Sequence, residues 1–296
     1  MSISMSMAAQ RFLGRGRPHR TPGPFIAAAA AVALAAALVS CTTVPAKPPA
    51  TVPPEMVPQG SDTTTGYLPA AGLPDSIALL PAPPAIGTPA AASDLAASQA
   101  DRAERGTQRW QRAASDADLN FPHAPVAFSC ALGMSITTQA APQLVELMRR
   151  SLIDAAAATT AAKNRYQRAR PFMVNGEATC TPDEEARLRG SGSYPSGHAA
   201  VGWTWALILT ELAPDRADAI LQRGLDFGES RVICNVHWHS DIAEGQVLAA
   251  AVVARLHGDA SFRADLAASR AELMRARRDA TGPPPGCDAE ASLEKQ

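Results

Sequence analysis

The chain has 296 residues, 46% of them apolar and 5% aromatic, enough for one large core or two small ones. Its formal charge is −1, so it lacks the basic field of a nucleic-acid binder, and no nucleic-acid partner is expected. Alanine-rich segments poor in β-branched residues favour helix, and no run reads as a strand of consequence. The expected class is all-α, a single-domain helical bundle.

The N-terminus opens with Arg11, Arg15, Arg17 and Arg20, followed by an apolar run from Phe25 to Val39. Residues 1–40 therefore read as an export signal, the run being shorter than the roughly 20 apolar residues of a membrane span. It ends in Leu38-Val39-Ser40-Cys41, which resembles a lipobox, so Cys41 is expected to carry lipid on a periplasmic protein. A soluble periplasmic form cleaved nearby is the alternative. Membrane contact is expected only through that anchor. Without residues 1–40 the chain holds 23 basic against 28 acidic residues, a net charge of −5. Cys130, Cys180, Cys234 and Cys287 are left, an even number in an oxidising compartment, which predicts up to two disulfides. Three pairings are possible and their spacing does not choose among them. No C-x-x-C pair suggests a zinc site.

Residues 41–65 hold Cys41 and a Pro/Thr/Ala-rich tether. The main domain is expected over 66–280 and a loose tail over 281–296. Residues 66–89 read as an extended segment lying over that domain. Helices follow over 90–114 and 128–138. The next is opened by Pro142 and carries Leu144, Val145, Leu147, Met148, Leu152 and Ile153 on its core face. That run continues to Arg170, where Pro171 stops it. Lys163 and Arg170 lie seven residues apart, two turns on one helix face. A loop with a short helical piece at 182–189 leads to Tyr194-Pro195-Ser196-Gly197-His198 and a strongly apolar helix to Leu212. Three further helices are expected over 216–230, 242–257 and 260–280.

The stretch at Ser196-Gly197-His198 opens a buried helix, whose first N–H groups make a ready anion site. Around it stands a spaced constellation. Lys163 is followed after six residues by Arg170-Pro171, then after 23 by Pro195-Ser196-Gly197-His198. After 31 more come Ser230-Arg231, then His237, then Asp241. This order resembles the signature of the type 2 phosphatidic acid phosphatase and vanadium haloperoxidase superfamily. Gly66-Tyr67-Leu68, Phe128-Ser129-Cys130-Ala131-Leu132-Gly133, Arg170-Pro171-Phe172 and Ser230-Arg231-Val232-Ile233-Cys234 narrow the resemblance to the class A bacterial non-specific acid phosphatases. It covers roughly residues 66–270.

The resemblance implies an acid phosphatase acting on small phosphomonoesters over a broad range, with phosphotransfer as a side activity and a homodimer as the family expectation. The residue chemistry agrees. Lys163, Arg170 and Arg231 supply positive charge, the arginines in bidentate form. Ser196 and the N–H groups of Gly197 and His198 complete a phosphate cradle. His237 can attack phosphorus to give a phosphohistidine, with Asp241 accepting from its other ring nitrogen. His198 then protonates the leaving group and later activates water. No carboxylate–histidine cluster suggests an essential metal, and no cofactor is expected. His239 lacks an acid four residues on and reads as a supporting or surface residue. The alternatives are a vanadate-dependent haloperoxidase, which uses the same cradle, and a non-catalytic phosphate-binding lipoprotein. A membrane lipid phosphatase would need several apolar spans, and none follows the signal.

Overall fold

The computed structural model describes residues 65–279 and 282–287. The export signal, Cys41 and most of the tether lie outside them. The α-helices are α1 (Ser76–Leu79), α2 (Pro89–Ala100), α3 (Gln108–Ser115), α4 (Ser129–Leu132), α5 (Pro142–Ala158) and α6 (Thr160–Tyr166). They continue as α7 (Pro171–Asn175), α8 (Glu185–Leu188), α9 (Gly197–Leu212), α10 (Ala217–Ile233), α11 (His239–Leu256) and α12 (Ala260–Asp279). No strand occurs among the described residues, so the all-α expectation holds. No described helix is long and apolar enough to cross a membrane.

The bundle is built around α9. Twelve of its sixteen residues are buried, which requires neighbours on every side. α10, α11 and α5 supply them, and α12 packs against α5. At the centre Trp205 meets Phe128 edge-on and donates from Nε1 to the Met148 carbonyl at 2.9 Å. Phe227 of α10 packs against both rings. α12 buries Phe262, Leu266, Ser269, Glu272 and Leu273, a single stripe of a charged helix.

Three expected helices differ. The run over 90–114 is split, because Gly106 adopts φ +82° and Thr107 starts a new helix by capping Trp110 N–H. The buried helix over 128–138 is one turn, α4, ended by left-handed Gly133. The run from Pro142 does not reach Arg170. It breaks at Thr159, and α6 ends at Tyr166 with Gln167 at φ 45°. Residues 168–170 then leave the helix, and Pro171 opens α7 instead of merely ending its predecessor.

The N-terminal segment, expected to be extended, carries a 3-10 turn at Ala70–Gly72 and α1, and it is anchored by Asp154 of α5. Its carboxylate accepts from the N–H groups of Tyr67 at 2.8 Å and Leu68 at 3.1 Å. The disulfides are Cys130–Cys287 and Cys180–Cys234. The first ties down the segment 282–287, which the sequence had placed in a loose tail.

Candidate active site

Ser196 is the N-cap of α9, its hydroxyl accepting from Ala199 N–H at 3.2 Å. The N–H groups of Gly197 and His198 occupy the first turn, where helix geometry gives them no intrahelical acceptor. α11 comes close against this end. Ser196 N–H donates to the Asp241 carbonyl at 2.9 Å, and a Cβ on Gly245 would lie 2.6 Å from the Ser196 carbonyl. Only glycine permits that approach.

Lys163 and Arg170 do meet, though not on a shared helix face. Both reach the carbonyl of Gly192, Lys163 Nζ at 2.8 Å and Arg170 Nη2 at 3.4 Å. Arg170 is fully buried and heavily used. Its Nε donates to the Leu188 and Ser191 carbonyls, and its Nη1 donates to the Val236 carbonyl at 3.2 Å. Arg231, near the end of α10, is equally buried, yet its Nε and Nη1 have no hydrogen-bond partner. Burial brings its proton affinity down to about 10, with Glu184 and Asp116 opposing the fall and Arg170 and Arg187 adding to it. It therefore stays charged at neutral pH and presents two unused donors, the demand that a bound oxyanion would meet.

His237 precedes the N-cap of α11, and Asp241 lies in the helix's first turn. His237 Nδ1 is 3.2 Å from Asp241 Oδ2, and His237 Nε2 is 3.1 Å from Arg170 Nη1. A guanidinium can only donate, so Nε2 accepts, and the proton sits on Nδ1 facing the carboxylate. This is the tautomer a nucleophilic Nε2 needs. Asp241 is itself fixed, its Oδ2 by Trp238 N–H at 2.9 Å and its Oδ1 by Arg168 Nη1 at 2.6 Å. Arg168 is held in turn by Asp94 at 2.7 Å.

His198 Nε2 donates to the Ala117 carbonyl at 3.0 Å, leaving Nδ1 as its basic nitrogen. Burial, and then the Arg231 charge, hold this imidazole well below its ordinary range. At neutral pH it therefore carries no proton on Nδ1. Behind it, Asp116 joins Ser230 Oγ at 2.5 Å and Arg223 through both guanidinium nitrogens, so Asp116 is structural and does not line the site as a free acid.

Sequence reasoning missed Arg168, Asp94 and the Ala117 carbonyl. Their partners lie 72 to 146 residues away, and no local spacing announces them. His239 is the mirror case. Lacking an acid at i+4, it takes one from Asp101, 2.8 Å from its Nε2. With Glu229 this makes the one group of three among the described residues able to hold a metal ion. Asp101 and His239 already face each other there within hydrogen-bond distance. Tyr194 is buried and donates to the Pro81 carbonyl at 2.6 Å, a packing role.

Comparison with known proteins gives the family. The PAP2 superfamily model matches residues 148–263, which include every residue of the constellation from Lys163 to Asp241. A non-specific acid phosphatase of Providencia stuartii is 40% identical over 227 residues, covering 75% of this chain and 92% of its own. An acid phosphatase of Zymomonas mobilis is 41% identical over 209 residues, covering 71% and 79%. A non-specific acid phosphatase of Salmonella typhimurium is 40% identical over 195 residues, covering 66% and 78%. With the signature residues gathered about the start of α9, the chain belongs to the class A bacterial non-specific acid phosphatases of the PAP2 superfamily.

Proposed function

We propose that this acid phosphatase hydrolyses small phosphomonoesters through a phosphohistidine at His237. The observation that carries the reading is the pair of His237 contacts, Nδ1 at 3.2 Å from Asp241 Oδ2 and Nε2 at 3.1 Å from Arg170 Nη1, which together put the ring proton on Nδ1. In this mechanism the phosphoryl oxygens sit among Lys163, Arg170, Arg231, Ser196 and the N–H groups of Gly197 and His198. Donors on those oxygens stabilise the charge of the transition state. His237 Nε2 forms a bond to phosphorus as the ester O–P bond breaks, and Asp241 supports the imidazolium that results. His198 Nδ1 delivers a proton to the leaving oxygen. Water then attacks phosphorus, gives its proton to His198, and releases phosphate with His237 restored.

His198 is neutral before substrate arrives, so it must acquire its proton with the substrate bound. A phosphoryl dianion placed beside it supplies the opposite charge that lifts its proton affinity. The same covalent intermediate admits an alcohol in place of water, which accounts for phosphotransfer as a side activity. Export and lipidation at Cys41 belong to the same proposal. They rest on the N-terminal sequence together with two disulfides that suit an oxidising compartment.

The test is hydrolysis of p-nitrophenyl phosphate by wild type and His237→Ala, each with and without EDTA. The expected result is turnover indifferent to EDTA and reduced at least about 10³-fold in the variant. Full activity in His237→Ala would remove the nucleophile. An inert wild type would favour a phosphate-binding protein without turnover.

A further inference from the structure

Arg187, like Arg168, is a cation near the site that belongs to no part of the signature. Residues 180–191 run beside the cradle, clamped at several points. Cys180 is disulfide-bonded to Cys234, three residues past Arg231, and its N–H donates to the Cys234 carbonyl at 3.3 Å. Arg170 Nε holds the carbonyls of Leu188 and Ser191 at 3.0 and 3.2 Å. Leu188 is buried in a small apolar cluster with Phe172, Ile233 and Val236. The segment is thus fixed to residues just past Arg231 and to Arg170 itself.

Arg187 sits in the middle of this strap, on α8. Its Nη2 donates to Glu184 Oε1 at 2.7 Å, whereas its Nη1 is buried and has no hydrogen-bond partner. Glu184 is steadied in turn by the Thr181 hydroxyl at 3.2 Å. Burial is the main cause of the lowered proton affinity of Arg231 and His198, and the Arg187 charge adds to it at both. Leu188, the next residue in the chain, has its carbonyl on Arg170 Nε at 3.0 Å, so Arg187 stands beside the cradle. Its side chain is 33% exposed, whereas Lys163, Arg170 and Arg231 are at 2% or less. Of these four cations it is the one that reaches solvent. A guanidinium nitrogen out of water without an acceptor is costly, and an anionic group on the ligand is what removes that cost.

Resting on the phosphatase reading above, we infer that Arg187 forms a subsite for a second phosphoryl group on the leaving-group side. Ligands with two linked phosphoryl groups are thereby preferred over monoesters with uncharged leaving groups. Glu184 is its counter-charge, holding Nη2 and opposing a second anion.

The test compares methylphosphonate with methylenediphosphonate, which has a second phosphonate and no hydrolysable bond, by calorimetric binding. Wild type is expected to bind the diphosphonate at least tenfold more tightly. Arg187→Gln weakens diphosphonate binding about tenfold and methylphosphonate binding less than threefold. Arg187→Lys keeps part of the preference, and Glu184→Gln enlarges it. Equal losses for both ligands in Arg187→Gln, or no loss for either, would overturn the subsite. So would a wild type that does not distinguish the two ligands. Thermal melts identify a misfolded Arg187→Gln, in which case Arg187→Lys and Glu184→Gln decide. Binding is measured without turnover, so a protein inert toward p-nitrophenyl phosphate would sink the phosphatase reading while leaving the Arg187 comparison intact.

Discussion

In the proposed mechanism His237 and His198 are the same side chain put to opposite uses by what each ring nitrogen faces. His237 has a carboxylate at Nδ1 and a guanidinium at Nε2, a setting for a neutral nucleophile that becomes a cation. His198 has a carbonyl at Nε2, and burial and the Arg231 charge keep it neutral until an anion arrives. This division has a kinetic signature. The basic limb of kcat/KM reports free enzyme and that of kcat reports the complex. After correction for substrate ionisation, the kcat limb is expected at higher pH, because the bound dianion raises the proton affinity of His198. Coincident limbs would contradict the assignment. Asp241→Asn is expected to lower kcat roughly 10²–10⁴-fold by releasing the tautomer. An Asp241→Asn variant with wild-type kcat would show that the His237 tautomer needs no such support. At this scale the sequence was informative about identity and silent about partners. The eight residues from Lys163 to Asp241 assigned to catalysis and phosphate binding stood out by type and spacing. Arg168 did not, since a cation in an Arg-rich stretch gives no sign that it will fasten Asp241 at 2.6 Å.

Among the elements, the site is a junction of the starts of α9 and α11 with the end of α10, closed by the strap at 180–191. Gly245 sets the first contact. Gly245→Ala places a Cβ against the Ser196 carbonyl, which backbone must yield to accommodate. It is expected to cost about 1–3 kcal/mol of stability and to lower kcat as His237 moves relative to Ser196. Unchanged melting and kcat would show that the junction is looser than its geometry. The disulfides should separate in their effects. Replacing Cys180 and Cys234 by serine frees the strap that carries Arg187 and touches Arg170, so KM rises. Replacing Cys130 and Cys287 is expected to lower thermal stability and leave KM alone. If both pairs change only stability, the strap has no part in binding. Long apolar helices such as α9 and α11 were legible from their pattern. The end of α6 was not, because Gln167 takes a left-handed conformation that periodicity does not encode. Lys163 and Arg170 converge on the Gly192 carbonyl, a loop atom invisible to helical spacing.

For the molecule as a whole, a buried carboxylate is among the groups that fasten the N-terminal segment to the bundle. Burial raises Asp154 to about 6 from 3.8, against the lowering effect of the Tyr67 and Leu68 N–H groups. Because the folded value lies above the unfolded one, this contribution is full below about pH 4 and fades as pH rises through about 6. Its size is on the order of 3 kcal/mol. The stability difference between wild type and Asp154→Asn should therefore narrow from pH 4 to pH 7 in chemical denaturation. A constant or widening gap would contradict the burial of this group. The motif Gly66-Tyr67-Leu68 was visible in the sequence, but its purpose was not. A Cβ at Gly66 would fall 2.1 Å from Asp154 Oδ1, so the glycine makes room for the carboxylate that docks the segment.

The central claim is a covalent phosphoryl group on His237. Rapid-quench reaction with a labelled phosphomonoester, trapping at alkaline pH where phosphohistidine survives, and peptide mapping test it directly. The account predicts label approaching one phosphoryl group per chain on the peptide holding His237, and none in His237→Ala. Turnover with no trapped phosphoprotein, or label retained on another residue in His237→Ala, would contradict it.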